Sequence, residues 1–409
     1  MAVAYMLPVL FSAVFVGGFI LLVMAAINFD LSNSEIPPGV THPVKLRIIH
    51  ITSIATAVVG RILENIGICS QIGFVRYLQG WTLGADPKLF IKDLWFEKVP
   101  VRIYQPKVPS ASRRKGVMFF HGGGWVLGSF ETHKKLCCYI ARESESVVIA
   151  VGYRLAPEHK YPAAYEDCLN ATIHFMRNTE HYAVDPANVI ICGDSAGGNL
   201  AAAVTQTLAG RSDLPRLRAQ ILIYPGLQAL DFNLPSYQQN PRVPLLSRER
   251  AAFFALQYLN GHAANMEEVL SGAHIPIDIK LKYSKWVSPD NIPEKFKVRG
   301  YKPHVLLDCT TEVYERVKRF CEPSLCPLLA EDAVVQQLPQ SFILTCEYDV
   351  LRDDGLLYKK RLEDNGVQVT WCHLEDGFHG IITMFNNVWL SFPGGTRGLD
   401  NIVNFLKSL

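Results

Sequence analysis

The chain has no lysine or arginine ahead of its first apolar run, and residues 2–27 carry no charge at all. The missing basic start argues against a cleaved signal peptide, whose apolar region is also shorter, about 7–15 residues. With no polar face, the segment does not fit a soluble core helix either. The ten cysteines include no C-x-x-C pair, so no patterned metal set or disulfide framework is visible. Several of them, such as Cys192 within an apolar run, read as buried free thiols. A net charge of +2 over 409 residues leaves no electrostatic footprint for nucleic acid. No internal repeat or low-complexity tract is present. The 49% hydrophobic content is ample for one α/β catalytic domain with additions once the N-terminal run is set aside.

As a helix, residues 2–27 would reach about 39 Å, enough to cross a hydrocarbon core of about 30 Å with some tilt. The expectation is an uncleaved, single-pass signal anchor. The first basic residues after it are Lys45 and Arg47, a weak lean towards a cytosolic catalytic domain. Asn170-Ala171-Thr172, the one N-glycosylation acceptor sequence in the chain, points the other way.

The most informative residues are Gly193-Asp194-Ser195-Ala196-Gly197-Gly198. They follow a β-rich run at 188–192 and precede a small-residue helix at 199–204. A strand, a G-x-S-x-G turn and a helix make a nucleophile elbow, in which glycines remove the Cβ atoms that would collide around a strained serine. Alone the pattern is common. Upstream, His121-Gly122-Gly123-Gly124-Trp125 follows an apolar strand at 116–120. Such a loop exposes backbone N–H groups to an incoming carbonyl oxygen, and Gly122, Gly123 and Ala196 are the expected oxyanion-hole donors.

In this chain order the acid and base come after the serine. An apolar strand at 341–346 runs into Glu347-Tyr348-Asp349, and a strand at 367–373 leads to Asp376-Gly377-Phe378-His379-Gly380. Ser195 is the expected nucleophile, His379 the general base and then acid, and Asp349 the residue that fixes its tautomer. Glu347 sits too early on its strand to be the better partner. Asp353 and Asp354 read as charges at a helix N-terminus, and His121 as a positioner of the glycine loop. The remaining histidines read mostly as surface residues.

His121-Gly-Gly-Gly-Trp125, Tyr153-Arg154-Leu155-Ala156-Pro157-Glu158, Tyr161-Pro162-Ala163-Ala164, the elbow through Asn199 and Asp376-Gly377-Phe378-His379-Gly380 together resemble the hormone-sensitive-lipase family of α/β-hydrolases. With Glu347-Tyr348-Asp349-Val350-Leu351-Arg352-Asp353-Asp354 and the apolar N-terminus, the resemblance is to the arylacetamide deacetylase-like branch. It covers residues 95–409. It implies an α/β-hydrolase fold, a mostly parallel sheet flanked by helices with a helical cap and an N-terminal transmembrane helix. The activity implied is that of a membrane-anchored carboxylester hydrolase on small-molecule or lipid esters, without metal or organic cofactor. The resemblance also implies a type II protein of the endoplasmic reticulum with a lumenal catalytic domain, which makes Asn170 a glycosylation site. Related deacetylases carry a cysteine after the tryptophan of the glycine loop, bridged to one before the catalytic aspartate. Here Cys346 is present but Val126 stands at the other position, so that bridge cannot form as usual.

The expected organisation is an anchor at 1–27, N-terminal cap helices at 28–94, a catalytic core at 95–226 and 336–409, and a cap insert at 227–335. The insert interrupts the sheet after a strand at 220–224 and contains a helix at 248–259. Within the first cap region, 48–60 and 73–83 read as helices. Thirteen residues at 48–60 are too few to span a bilayer, so that helix is expected to dip into the membrane surface. Loops over the catalytic edge carry substrate choice. An amide-preferring deacetylase would use the same residues, and a catalytically silent binding protein of this fold would show a lost triad or oxyanion residue; none is lost.

Overall fold

Apolar runs covered on both faces build the centre of the molecule. The computed structural model describes residues 2–80, 84, 86–385 and 389–409, with side chains from residue 17 onward. Eight strands form one sheet: β1 (Leu89–Phe96), β2 (Val99–Pro106), β3 (Arg114–Phe120), β4 (Val147–Val151), β5 (Val184–Asp194), β6 (Ala219–Ile223), β7 (Gln340–Tyr348) and β8 (Val369–Phe378). Their order is β1-β2-β4-β3-β5-β6-β7-β8. All pairings from β4 to β8 are parallel, and β2 runs antiparallel to both of its neighbours. In β3, Val117 and Phe119 face one buried layer while Met118 and Phe120 face the other. A strand buried on both sides reads as a continuous apolar run rather than an alternation. Each such side chain contributes about 1.5–3 kcal/mol of burial.

Among the described residues, three helices precede the sheet: α1 (Ala2–Asn33), α2 (Pro43–Asn65) and α3 (Gln71–Gln79). Within it come α4 (Phe130–Ser144), α5 (Ala163–Arg177) and α6 (Ala196–Ala209). The insert holds α7 (Pro235–Gln239), α8 (Arg248–Asn260), α9 (Met266–Ser271), α10 (Ile277–Tyr283), α11 (Thr311–Val317) and α12 (Asp332–Val335). The chain closes with α13 (Arg352–Asp364) and α14 (Pro393–Ser408). α5, α6 and α13 cover one face of the sheet, and α4 and α14 the other. The strand order reverses around β3, whose neighbours are β4 on one side and β5 on the other. In open α/β sheets a ligand crevice forms outside the carboxyl ends of strands at such a point. The glycine loop after β3 and the serine after β5 meet there.

Several local expectations are corrected. The N-terminal helix runs to Asn33 rather than ending at 27, and β1 starts before residue 95, so the expected start of the core falls inside a strand. The helix expected at 48–60 is the 23-residue α2, and the one expected at 73–83 is α3; residue 83 lies outside the described residues. Asp353 and Asp354 do stand in the first turn of α13, as expected, but as fully buried acceptors. Asp353 takes the Arg352 guanidinium at 2.9 Å and the Ser236 N–H at 2.6 Å. Asp354 takes the N–H groups of Leu227 and Gln228 at 2.8 and 3.3 Å. Both carboxylates therefore fasten the start of the insert to α13. His50, His133 and His274 are buried rather than on the surface.

Two of these buried groups titrate in opposite senses. Burial pushes the Asp354 carboxyl up to about 7 and the His274 imidazole down to about 4. Unfolded, the same groups titrate near 3.9 and 6.5. Folding is therefore penalised by Asp354 as pH rises from the unfolded value through 7, and by His274 as pH falls from 6.5 through 4. Because the two oppose, the clean test is a difference. His274→Gln should narrow its stability gap to the wild type as pH falls from 6.5 to 4, in urea titrations at each pH, and a gap independent of pH would contradict it.

Candidate active site

Ser195 sits between β5 and α6 with φ +55° and ψ −121°, a conformation that costs a non-glycine residue about 1–3 kcal/mol. The surrounding backbone imposes it. A Cβ on Gly193 would lie 2.1 Å from the Gly197 carbonyl oxygen, and one on Gly197 would lie 2.0 Å from that of Phe120. The elbow can pack against β3 only with glycine at both places.

The structure brings Ser195, His379 and Asp349 together from three strand ends. His379 Nε2 lies 2.8 Å from Ser195 Oγ, and His379 Nδ1 lies 2.8 Å from Asp349 Oδ2. A carboxylate can only accept, so Nδ1 carries the proton and Nε2 is free to accept from the serine hydroxyl. The other Asp349 oxygen is occupied by the Leu351 N–H at 2.9 Å, and Asn240 Nδ2 donates to the Asp349 carbonyl at 3.1 Å. Glu347 is engaged elsewhere. Its oxygens meet Arg352 at 3.1 Å, Arg299 at 2.9 Å and His373 at 3.1 Å.

One expected oxyanion donor is corrected. The Gly122 N–H is already spent on the buried Asp194 carboxylate at 2.8 Å. Among the described residues, the N–H groups of Gly123, Gly124 and Ala196 have no acceptor, and all three residues line the same cavity as Ser195. Gly124 therefore has a free N–H beside Ser195, where Gly122 has none. The carboxylate that removes Gly122 is the residue sequence reasoning missed, although it stands inside the elbow motif. Burial works to raise the Asp194 carboxyl, but His133, 3.1 Å away, and the Gly122 N–H outweigh it and hold the group below its ordinary value. Asp194 thus ties the elbow to the glycine loop. Tyr153 braces the same loop by donating to the His121 carbonyl at 2.6 Å, and burial pushes the His121 imidazole down to about 4, which keeps it neutral.

The cavity over Ser195 has a volume of about 330 Å³ and is mostly apolar. Gln79 of α3, Leu246 and Phe254 from the α8 region, and Phe320 and Leu325 from the end of the insert reach into it beside His379. Phe254 lies directly on the glycine loop, with its ring 2.3 Å from where a Cβ on Gly124 would stand. Arg76 of α3 donates to the Val126 carbonyl at 2.8 Å and the Ala156 carbonyl at 2.6 Å, so the N-terminal helices are fastened beside the same loop. Val126 and Cys346 are both buried, and among the described residues all ten cysteines are free thiols. Asn170 is exposed on α5, while the hydroxyl of Thr172 turns inward to the Cys168 carbonyl at 2.7 Å.

A serine, an oriented imidazole and unpaired N–H groups at the switch point of a parallel sheet define an α/β hydrolase. The family profile described as alpha/beta hydrolase fold matches residues 117–279 and 294–383, and the chain belongs to that family. Within it the chain falls in the arylacetamide deacetylase-like branch. It is 46% identical to arylacetamide deacetylase-like 4 of Homo sapiens over 98% of this chain and 97% of that one. It is 34% identical to neutral cholesterol ester hydrolase 1 of Mus musculus, over 91% of this chain and 94% of the relative. Among solved structures, an esterase from Rhizomucor miehei superposes with a TM-score of 0.62 at 27% identity, over 82% of this chain and 90% of that one.

Proposed function

We propose that this carboxylic ester hydrolase works through an acyl-enzyme on Ser195 and takes apolar esters, lipid esters among them, while anchored in a membrane by α1. The observation that carries the reading is the 2.8 Å approach of His379 Nε2 to Ser195 Oγ beneath a mostly apolar cavity. Ser195 Oγ attacks the ester carbonyl as its proton passes to His379 Nε2. The carbonyl oxygen takes the negative charge and is met by the N–H groups of Gly123, Gly124 and Ala196, each such donor being worth roughly 2.7–4 kcal/mol. His379 then protonates the leaving alcohol, with Asp349 balancing the imidazolium. Water, deprotonated by the same nitrogen, attacks the acyl group, and the proton returns to Ser195 as the acid leaves. The residues before β1 and those at 227–335 form the cap, a division supported by the insert and α3 side chains that line the cavity.

The uncharged stretch of α1 and the exposed sequon at Asn170 support a type II placement in the endoplasmic reticulum membrane with the catalytic domain in the lumen. One experiment tests both parts. In microsomes, a fluorophosphonate probe should label the chain, a long-chain ester should compete with the label, and N-glycosidase should shift the labelled band. An unlabelled chain would overturn the acyl-enzyme, and a labelled band that does not shift would overturn the lumenal placement.

A further inference from the structure

α2 has 23 residues and is by length and composition able to cross a bilayer: its most apolar 18-residue window has a mean hydropathy of 1.5, and only 22% of that window is buried. Its attachments argue against crossing. Before and at its start, Val40 and Leu46 are buried in the core, and Lys45 Nζ donates to the Ser391 carbonyl at 3.2 Å. Just after its end, α3 is held by the Arg76 contacts to the glycine loop region and by an Arg76–Glu158 ion pair at 2.9 Å. A helix of 23 residues is about 35 Å long. With both ends fastened to the same globular domain, it lies along that domain's surface rather than away from it. α1 stays beside it, through Asp30 and His50 at 2.9 Å and through Arg47 donating to Ser34 at 2.6 Å. A bilayer that takes up the uncharged stretch of α1 therefore comes within about a helix width of α2.

The large apolar side chains left exposed around this helix are Val44, Ile48, Ile66, Ile68, Leu78 and Trp389, with Ile68 66% and Trp389 82% accessible. Tryptophan at such a position is characteristic of a membrane–water interface, and an exposed apolar patch of this kind marks an interaction surface. Two of these residues stand close in sequence to residues that line the catalytic cavity. Gln79, next to Leu78, lines that cavity, and so does Met384, five residues before Trp389.

We propose that α2 lies in the plane of the membrane as an interfacial helix, and that the cavity opens onto the leaflet between the α2–α3 side and Trp389. A lipid ester then reaches Ser195 from the acyl-chain region without passing through water. The proposal rests on the ester-hydrolase reading and adds the occupant of the patch, a bilayer leaflet. It is tested with the full chain reconstituted in phosphatidylcholine vesicles, comparing wild type with Ile66→Glu/Ile68→Glu and with Trp389→Glu. Each preparation is given a long-chain monoacylglycerol ester in the vesicle and, separately, water-soluble p-nitrophenyl acetate. The expected result is a tenfold or greater loss on the vesicle ester with the soluble ester unchanged. Equal turnover of both esters in all variants, or a parallel loss on both, would overturn the proposal. Loss of self-association with vesicle turnover kept would assign the patch to a second copy and overturn it too. Wild-type protein inert towards p-nitrophenyl acetate would instead overturn the hydrolase reading itself.

Discussion

Ser195→Ala should lower ester turnover by about 10⁶-fold, the scale seen when the nucleophile of a serine triad is removed, and should abolish fluorophosphonate labelling. The fold has no reason to suffer. The side chain contributes one hydroxyl at the floor of a cavity, and alanine relieves none of the close backbone approaches that Gly193 and Gly197 permit. An unchanged thermal transition together with lost turnover is the expected pair of results. Retained labelling in the variant would place the nucleophile elsewhere.

Asp349→Asn is the second large effect, about 10⁴-fold in kcat, because it inverts the imidazole tautomer. The direction follows from the contacts. Leu351 N–H occupies one Asp349 oxygen and His379 Nδ1 the other. An asparagine must keep its single oxygen on the Leu351 N–H, which turns its NH₂ group towards His379. Nδ1 then becomes an acceptor, the proton moves to Nε2, and the base is blocked. Glu347→Gln should leave turnover within a few-fold of wild type, since the ion pairs of Glu347 lie with Arg299, Arg352 and His373. Steady-state kinetics on one soluble ester separate the two carboxylates, and equal losses in both variants would contradict the assignment.

The serine elbow, the glycine loop and the chain order of acid and base were legible because each is a local demand of backbone geometry. A strained serine needs glycines at fixed offsets, and strand ends at one edge of a parallel sheet bring together residues far apart in sequence. What was not legible depended on side chains arriving from other elements. Gly122 and Gly124 look alike in sequence; only the Asp194 carboxylate distinguishes the engaged N–H from the free one. Asp353 and Asp354 had the position of helix-end charges, and their burial follows from the insert folding back over them. The true length of α2 was hidden by Lys45, Arg47 and Arg61, which break the apolar run in sequence. In the fold, Lys45 and Arg47 find partners at Ser391 and Ser34, so they do not end the helix.

The pair of buried carboxylates on α13 also limits how this enzyme can change its substrates over evolutionary time. The turn that presents Asp349 runs straight into the helix that holds the insert, through Leu351, Asp353 and Asp354. A lid transplanted from another hydrolase would have to bring its own counterparts of Ser236 and of the Leu227–Gln228 backbone. Without them, Asp354 would lose its partners and Asp353 would keep only Arg352, beneath the catalytic turn. Drift in the side chains facing the cavity is therefore the accessible route to new specificity, and wholesale exchange of the lid is not.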